Sequence, residues 1–168
     1  MEKRKKYIAY GSNLNLGQMA KRCPTAKVIG KGEIMDHELL FRGGSLTAVA
    51  TVEPKKGSSV PVLIWEIGPE DERSLDIYEG YPRLYGKVDL EVQTERGLES
   101  IMAYTMNEGH EIGKPSMHYL ETITNGYLEA GFDLNRLLES VSHCREVVEK
   151  RYACEGMEEQ SWNQQLLQ

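Results

Sequence analysis

The order of hydrophobic periodicities along the chain restricts its fold more than any other feature. Up to about residue 106, apolar runs are short or alternate with polar residues, a pattern typical of strands. From Ser116 onward, apolar residues recur at helical spacing, first up to Gly131 and then from Asp133. A chain that is strand-rich first and helical afterwards favours an α+β fold over repeated βαβ units. We therefore expect a small, curved or barrel-like, mostly antiparallel sheet with flanking helices.

Turn residues divide the strand-rich part into segments. Glu53–Ser59 contains Pro54 and Gly57 and is predicted to be a polar turn. Pro69 is expected to begin a helix that ends near Gly80, with Leu75 and Tyr78 on its inward face. After the apolar residues 7–9, the predicted strands are Lys27–Ile34, Glu38–Arg42, Thr47–Val52, Val60–Ile67, Val88–Val92 and Glu99–Met106.

The last third is predicted to form two helices and a tail. Ser116 is the expected N-cap of the first helix, and Asp133 that of the second. The residues expected on the inward faces are Met117, Leu120, Ile123, Tyr127 and Leu128, followed by Leu134, Leu137, Leu138, Val141 and Val148. Beyond about Cys154 the sequence is polar and aperiodic. We expect one domain over residues 1–153 and a frayed C-terminal tail over residues 154–168.

Composition narrows the possible partners and the compartment. The formal net charge of −6 disfavours nucleic acid as a partner. The one basic cluster, residues 3–6, is not followed by an apolar segment of the length of a signal peptide or membrane span. The three cysteines are odd in number and lack metal or redox spacing, so we expect reduced thiols and a cytoplasmic location. The four histidines show no paired spacing for zinc. The oligomeric state cannot be read from the sequence.

The first candidate functional feature is the run Tyr10-Gly11-Ser12-Asn13-Leu14. It joins the first predicted strand to a helix, and at such a place backbone N–H groups can converge on an oxyanion or a carboxylate. Gly11 permits close approach of a ligand. The alternative is a plain turn followed by a helix that Asn15 caps, with Gln18 as its capping-box partner.

The second candidate is Glu79, at the C-terminal end of the helix that begins at Pro69. A negative charge there opposes the helix dipole, and tyrosines surround it in sequence. If this setting is buried, both effects raise the carboxyl pKa toward the range of a general acid/base at neutral pH. The alternative is an exposed glutamate before a C-capping glycine. The sequence does not show whether Tyr81 or Tyr85 faces a ligand.

The third candidate is Tyr119, in the first turn of the helix that follows Pro115-Ser116. It lies off the predicted apolar face, so its hydroxyl could pair with a polar ligand. The alternative is a rim residue that packs at the surface.

Together these three motifs resemble the gamma-glutamylcyclotransferase-like family. The run from Tyr10 to Leu14 is similar to the family's hallmark loop, Glu79-Gly80 to its catalytic glutamate, and Pro115-Ser116-x-x-Tyr119 to its substrate-side tyrosine. The similarity covers roughly residues 5–135. It implies a small mixed barrel-like α/β fold and a reaction without metal or cofactor.

The resemblance also implies a chemistry. A γ-glutamyl amide would lose its amine or amino acid as the glutamyl α-amine closes onto its own γ-carbonyl, giving 5-oxoproline. Glu79 would transfer the proton, and Tyr119 would contact the glutamyl group. The loop for the glutamyl carboxylate and carbonyl would be Tyr10, Gly11, Ser12, Asn13 and Leu14. One alternative is a non-catalytic member of the fold that binds a small carboxylate or a protein partner. Another is an enzyme that removes a γ-glutamyl protecting group from a biosynthetic intermediate.

Overall fold

A computed structural model describes residues 2–166, which form a five-stranded closed barrel and four α-helices. A 3-10 turn (Ser12–Leu14) follows the first strand. The strands are β1 (Lys5–Ala9), β2 (Lys27–Gly44), β3 (Thr47–Ile67), β4 (Tyr85–Thr94) and β5 (Gly97–Met106). The helices are α1 (Leu16–Arg22), α2 (Pro69–Glu79), α3 (Met117–Ala130) and α4 (Leu134–Leu166).

The barrel has the strand order β1-β3-β2-β4-β5 and closes between β1 and β5. The closing pair is parallel, with Tyr7 opposite Met102, and all other pairs are antiparallel. The predicted α+β fold with a barrel-like, mostly antiparallel sheet and flanking helices is therefore confirmed.

Strands β2 and β3 form one long ribbon, where the sequence predicted four shorter strands. The predicted turn over Glu53–Ser59 is wrong, since this segment continues as strand. The ladder shifts register between Met35 and His37, and Asp36 there has a positive φ of 53°. The Asp36 carboxylate accepts a hydrogen bond from the N–H of Gly57 at 2.9 Å. A β-bulge at Asp36, held by a hydrogen bond to the opposite strand, thus allows the polar residues 53–59 to continue as strand.

The helices pack on the barrel through only part of their predicted apolar faces. Leu75 of α2, Ile123 and Tyr127 of α3, and Leu137 and Val148 of α4 are fully or almost fully buried. The expected inward positions of four other residues are wrong, because each helix is covered on one side only. These exposed residues are Tyr78, Met117, Leu128 and Leu138.

The helix ends follow the local sequence signals. The Ser116 hydroxyl accepts a hydrogen bond from the N–H of Tyr119 at 3.2 Å, and Gly80 and Gly131 end α2 and α3 in the left-handed conformation. The N–H of Asn135 donates to the Asp133 carboxylate at 3.0 Å.

The last helix extends further than the sequence pattern indicated. Its backbone is helical to Leu166, whereas we expected a frayed tail from residue 154. Residues 167–168 lie outside the described part of the chain, and the domain boundary at residue 153 stays a prediction. Within residues 2–166, no helix is both long and apolar enough to cross a membrane. Cys23, Cys144 and Cys154 are free thiols, and the cytoplasmic location also stays a prediction.

Candidate active site

A cavity of about 190 Å³ lies where the loop after β1 meets α2 and α3. It is small beside drug-sized pockets of roughly 300–1,000 Å³, so it suits a small molecule. Its lining contains every residue that the sequence singled out for the site except Leu14. The lining residues are Tyr7, Tyr10, Gly11, Ser12, Asn13, Val49, Ala50, Tyr78, Glu79, Leu84, Tyr85, Tyr104 and Tyr119.

The loop from Tyr10 to Leu14 enters the cavity at Gly11. A Cβ added there would lie 3.1 Å from the Cβ of Ala50 and 3.5 Å from the Tyr119 hydroxyl, so glycine permits the close approach. The 3-10 turn that follows has no side-chain cap. The first N–H groups of such a turn, here those of Ser12 and Asn13, have no partner within the turn.

Leu14 does not line the cavity, and its side chain is fully buried in the core. Its predicted contact with the ligand has no support from this position. The predicted cap of α1 is confirmed, because the Asn15 side chain accepts from the N–H of Gln18 at 3.0 Å. Gln18 does not complete a capping box; its side-chain amide contacts Arg22 and Thr122 instead.

Glu79 is the last residue of α2, and its carboxylate faces the loop. The Asn13 amide donates to its Oε1 atom at 3.2 Å. Burial raises the pKa of Glu79 to about 7, although Arg22 and the Asn13 hydrogen bond act in the opposite direction. The structure therefore agrees with the expected direction of the pKa shift and excludes the alternative of an exposed glutamate.

Tyr119 and Tyr85 hold the peptide groups of Ala50 in β3. The N–H of Ala50 donates to the Tyr119 hydroxyl at 3.0 Å, and the Tyr85 hydroxyl donates to the carbonyl of Ala50 at 2.5 Å. Burial raises the pKa of both tyrosines, so both hydroxyls stay protonated. Because the Tyr119 oxygen accepts from Ala50, its own proton remains available to a ligand. Tyr119 is thus a cavity residue and not a surface rim residue.

Sequence reasoning missed several residues of the site. Tyr7 and Tyr104 lie on strands that are distant in sequence, and their rings meet edge to face with centroids 5.8 Å apart. Tyr85 lines the cavity, whereas Tyr81 is 40% exposed and packs against Tyr104. The only sequence signal for Tyr85 is the number of tyrosines around Glu79, and Tyr7 and Tyr104 have none.

The described residues place no three His, Cys, Asp or Glu side chains where they could together hold a metal ion. Glu79 is the only acidic or basic side chain among the described residues that line the cavity. The site is thus a tyrosine-rich cavity with one carboxyl group.

Comparison with known proteins identifies the family. Residues 7–124, which include the loop, Glu79 and Tyr119, match the family model described as gamma-glutamyl cyclotransferase, AIG2-like. The chain belongs to this family. The resemblance seen in the sequence is therefore confirmed. Membership supports the cyclotransferase function of the family for this chain.

Relatives and solved structures agree with this assignment. The chain is 29% identical to human gamma-glutamylcyclotransferase over 136 residues, covering 76% of this chain and 72% of the human protein. It is 28% identical to the bovine gamma-glutamylcyclotransferase over 140 residues, with the same shares. A solved gamma-glutamyl cyclotransferase structure superposes with a TM-score of 0.74 at 23% identity, covering 88% of this chain and 99% of that one. A human protein superposes with a TM-score of 0.74 at 24% identity, covering the same shares of the two chains. The two structures share the fold.

Proposed function

We propose that this protein converts a γ-glutamyl amide into 5-oxoproline and releases the free amine or amino acid. One observation carries the proposal: Glu79 and the loop at Gly11 line the same small cavity, and the Glu79 carboxylate accepts a hydrogen bond from the Asn13 amide at 3.2 Å. The α-amine nitrogen of the substrate forms a bond to its own γ-carbonyl carbon, and the bond from that carbon to the leaving nitrogen breaks. No oxidation or reduction takes place.

Glu79 is the proposed general acid/base. The attacking amine loses a proton when it bonds to carbon, and the leaving nitrogen gains one. A single carboxyl group near the two nitrogens can accept the proton from the attacking amine and then donate it to the leaving nitrogen. Since its pKa is raised to about 7, Glu79 populates both protonation states near neutral pH, which suits both halves of this task.

The loop is the proposed oxyanion site. In the tetrahedral intermediate the γ-carbonyl oxygen becomes negative, and backbone N–H groups that are already oriented stabilise such a charge. The N–H groups of Ser12 and Asn13 at the start of the 3-10 turn are the proposed donors. In other enzymes the loss of one donor of this kind costs about 3 kcal/mol of transition-state stabilisation.

The remaining groups are proposed to fold the substrate for cyclisation. Much of the rate gain in an intramolecular reaction comes from holding the reacting atoms close together. The Tyr119 hydroxyl would donate to the glutamyl group. Because no cation lines the described cavity, backbone N–H and hydroxyl donors would bind the glutamyl α-carboxylate.

The test is a panel of γ-glutamyl amino acids and γ-glutamyl amines, with 5-oxoproline measured by mass spectrometry. We expect turnover of at least one compound. Glu79→Gln should keep the circular dichroism spectrum and lower kcat by about a hundredfold or more. The matched control is Glu70→Gln on the same helix, whose side chain is 74% exposed, and it should keep wild-type activity.

The same panel distinguishes the non-catalytic alternative. If the folded wild-type protein turns over no compound while glutamate or 5-oxoproline still binds, the protein is a carboxylate-binding member of the fold. If the released product is a larger biosynthetic intermediate, the protein is a deprotecting enzyme with the same chemistry.

A further inference from the structure

Arg22, the last residue of α1, lies beside the cavity without lining it. Its guanidinium carbon is 3.4 Å from the centroid of the Tyr78 ring, a stacked cation–π arrangement. One amino group donates to the Gln18 side chain at 3.2 Å, and the other donates to the Oδ1 atom of Asn13. A stacked arginine that donates to two side chains has little freedom to turn.

The contact with Asn13 fixes which way that amide points. Arginine can only donate, so it must face the oxygen of the amide. The amide nitrogen then faces the other way, where it donates to the Tyr7 hydroxyl at 2.8 Å and to Glu79 Oε1 at 3.2 Å. With the amide reversed, the Asn13 oxygen would face the Glu79 carboxylate, and two acceptors repel each other.

We propose that Arg22 is a positioning residue for the reaction: by orienting the Asn13 amide, it keeps the Glu79 carboxylate hydrogen-bonded and directed into the cavity. The proposal rests on the acid/base role proposed for Glu79. Arg22 acts through Asn13 and does not touch the substrate.

The charges around Glu79 give this arrangement a second consequence. Among the residues that the structure describes, Arg22 is the one cation that acts on the Glu79 carboxyl, and it lowers the pKa of Glu79 against the effect of burial. Burial raises the pKa of four tyrosines near Glu79, so these groups are neutral at the pH where the carboxyl titrates. Loss of Arg22 should therefore raise the Glu79 pKa further. The titratable groups near the carboxyl are Tyr7 from β1, Tyr10 from the loop, Arg22 from α1, Tyr78 from α2, Tyr85 from β4, Tyr104 from β5 and Tyr119 from α3.

Kinetics of Arg22→Met give the first test, because methionine keeps an unbranched stem and removes the charge and both donors. The rise of kcat/KM with pH should move upward by about one pH unit, the shift expected when one nearby opposite charge is lost. Below that rise kcat/KM should fall about tenfold, while KM changes little. Arg22→Lys keeps the charge and loses the planar fork, so its pH profile should shift less than that of Arg22→Met. Lys21→Met, an exposed neighbour, is the control and should match wild type.

A titration that needs no turnover gives the second test. The ¹³C signal of the Glu79 carboxyl, identified by its absence in Glu79→Gln, should titrate at higher pH in Arg22→Met than in wild type. This readout remains valid if no γ-glutamyl compound is a substrate, so failure of the proposed reaction is distinguishable from failure of this inference. If Arg22→Met does not fold, Arg22→Lys decides by the same two measurements. Variants that lose only thermal stability and keep the wild-type pH profile and titration midpoint would show that Arg22 is merely structural.

Discussion

Gly126 of α3 packs directly against the backbone of Leu14. A Cβ built on Gly126 would lie 2.6 Å from the Cβ of Leu14 and 2.9 Å from its carbonyl carbon. Because one of the clashing atoms is backbone, rotation of a side chain cannot relieve the contact. Helix α3 therefore supports the cavity loop through Leu14, and the same helix contributes Tyr119 to the cavity lining.

Gly126→Ala should displace the loop and lower activity. The added methyl group forces Leu14 and the adjoining 3-10 turn to move, and overpacking of this kind costs about 1–3 kcal/mol of stability. Since small displacements of catalytic groups can lower rates about a hundredfold, we expect kcat/KM to fall at least about tenfold. Steady-state kinetics and urea unfolding measure the two effects.

The matched control is Gly156→Ala in α4, where the added Cβ would meet no atom within 4 Å. This change removes a helical glycine without a clash, so stability should stay constant or rise by up to about 1 kcal/mol. Activity should not change. Wild-type kinetics in Gly126→Ala would contradict the role of this contact in positioning the loop.

Tyr119→Phe should lower both stability and activity. It removes the acceptor of the Ala50 N–H, which lies at the edge of the cavity at 3.0 Å from the hydroxyl. An unsatisfied buried donor costs about 1–3 kcal/mol. The substrate also loses the proposed hydroxyl donor, so kcat/KM should fall even under conditions where the variant is fully folded.

Tyr127→Phe on the same helix is the comparison for Tyr119→Phe. Tyr127 is fully buried but does not line the cavity. Its variant should retain wild-type kcat/KM. If both variants have wild-type kinetics, Tyr119 serves packing alone.

Asp71 connects α2, which carries Glu79, to the segment after α1. Its buried carboxylate accepts from the Thr25 hydroxyl at 2.5 Å, the Thr25 N–H at 3.3 Å and the Gly68 N–H at 3.1 Å. Asp71→Ala leaves these donors without an acceptor and should lower stability by about 3 kcal/mol. Urea unfolding measures this loss, and Glu70→Ala on the exposed side of α2 should change stability by less than about 0.5 kcal/mol. An equal loss in the two variants would refute the anchoring role of Asp71.

Local signals explain most of what the sequence predicted. The N-caps at Asn15 and Ser116 and the C-cap at Gly80 depend on residues within one helical turn, so they can be recognised without knowledge of the fold. The same holds for the loop at Gly11, which needs only a strand, a glycine and a following turn. The local motifs identified Glu79, Asn13 and Tyr119 one by one, and the resemblance to the family predicted that they share one site.

Contacts across the barrel explain what the sequence did not predict. The bulge in the β2–β3 ribbon depends on the hydrogen bond from the Gly57 N–H to the Asp36 carboxylate on the opposite strand. Tyr7 and Tyr104 come together only because β1 and β5 close the barrel. Arg22 contacts the site through its stack on Tyr78 of α2 and its hydrogen bond to Asn13. No local pattern encodes pairings of this kind.

The raised pKa of Glu79 should make the stability of the protein depend on pH. The pKa is about 7 in the folded state and near its ordinary value of 4.5 in the unfolded chain. Between these values the folded protein holds a proton that the unfolded chain has released. The stabilisation that the folded protein gains from keeping Glu79 protonated is therefore fully present below the unfolded pKa, and it is lost as the pH rises through about 7.

Glu79→Gln does not titrate, so it isolates this contribution. The difference in free energy of unfolding, variant minus wild type, should increase between pH 4.5 and pH 7 by about 1.4 kcal/mol for each unit of pKa shift, and then stay constant. Urea unfolding of both proteins at pH 5 and pH 8 measures the difference, and it cancels the titration of all other groups. Glu70→Gln should show nearly the same difference from wild type at both pH values, since its side chain is 74% exposed. A Glu79→Gln difference that does not change between pH 5 and pH 8 would mean that the carboxyl is hydrated in the folded protein, and a hydrated carboxyl could not act as a neutral-pH acid/base in this cavity.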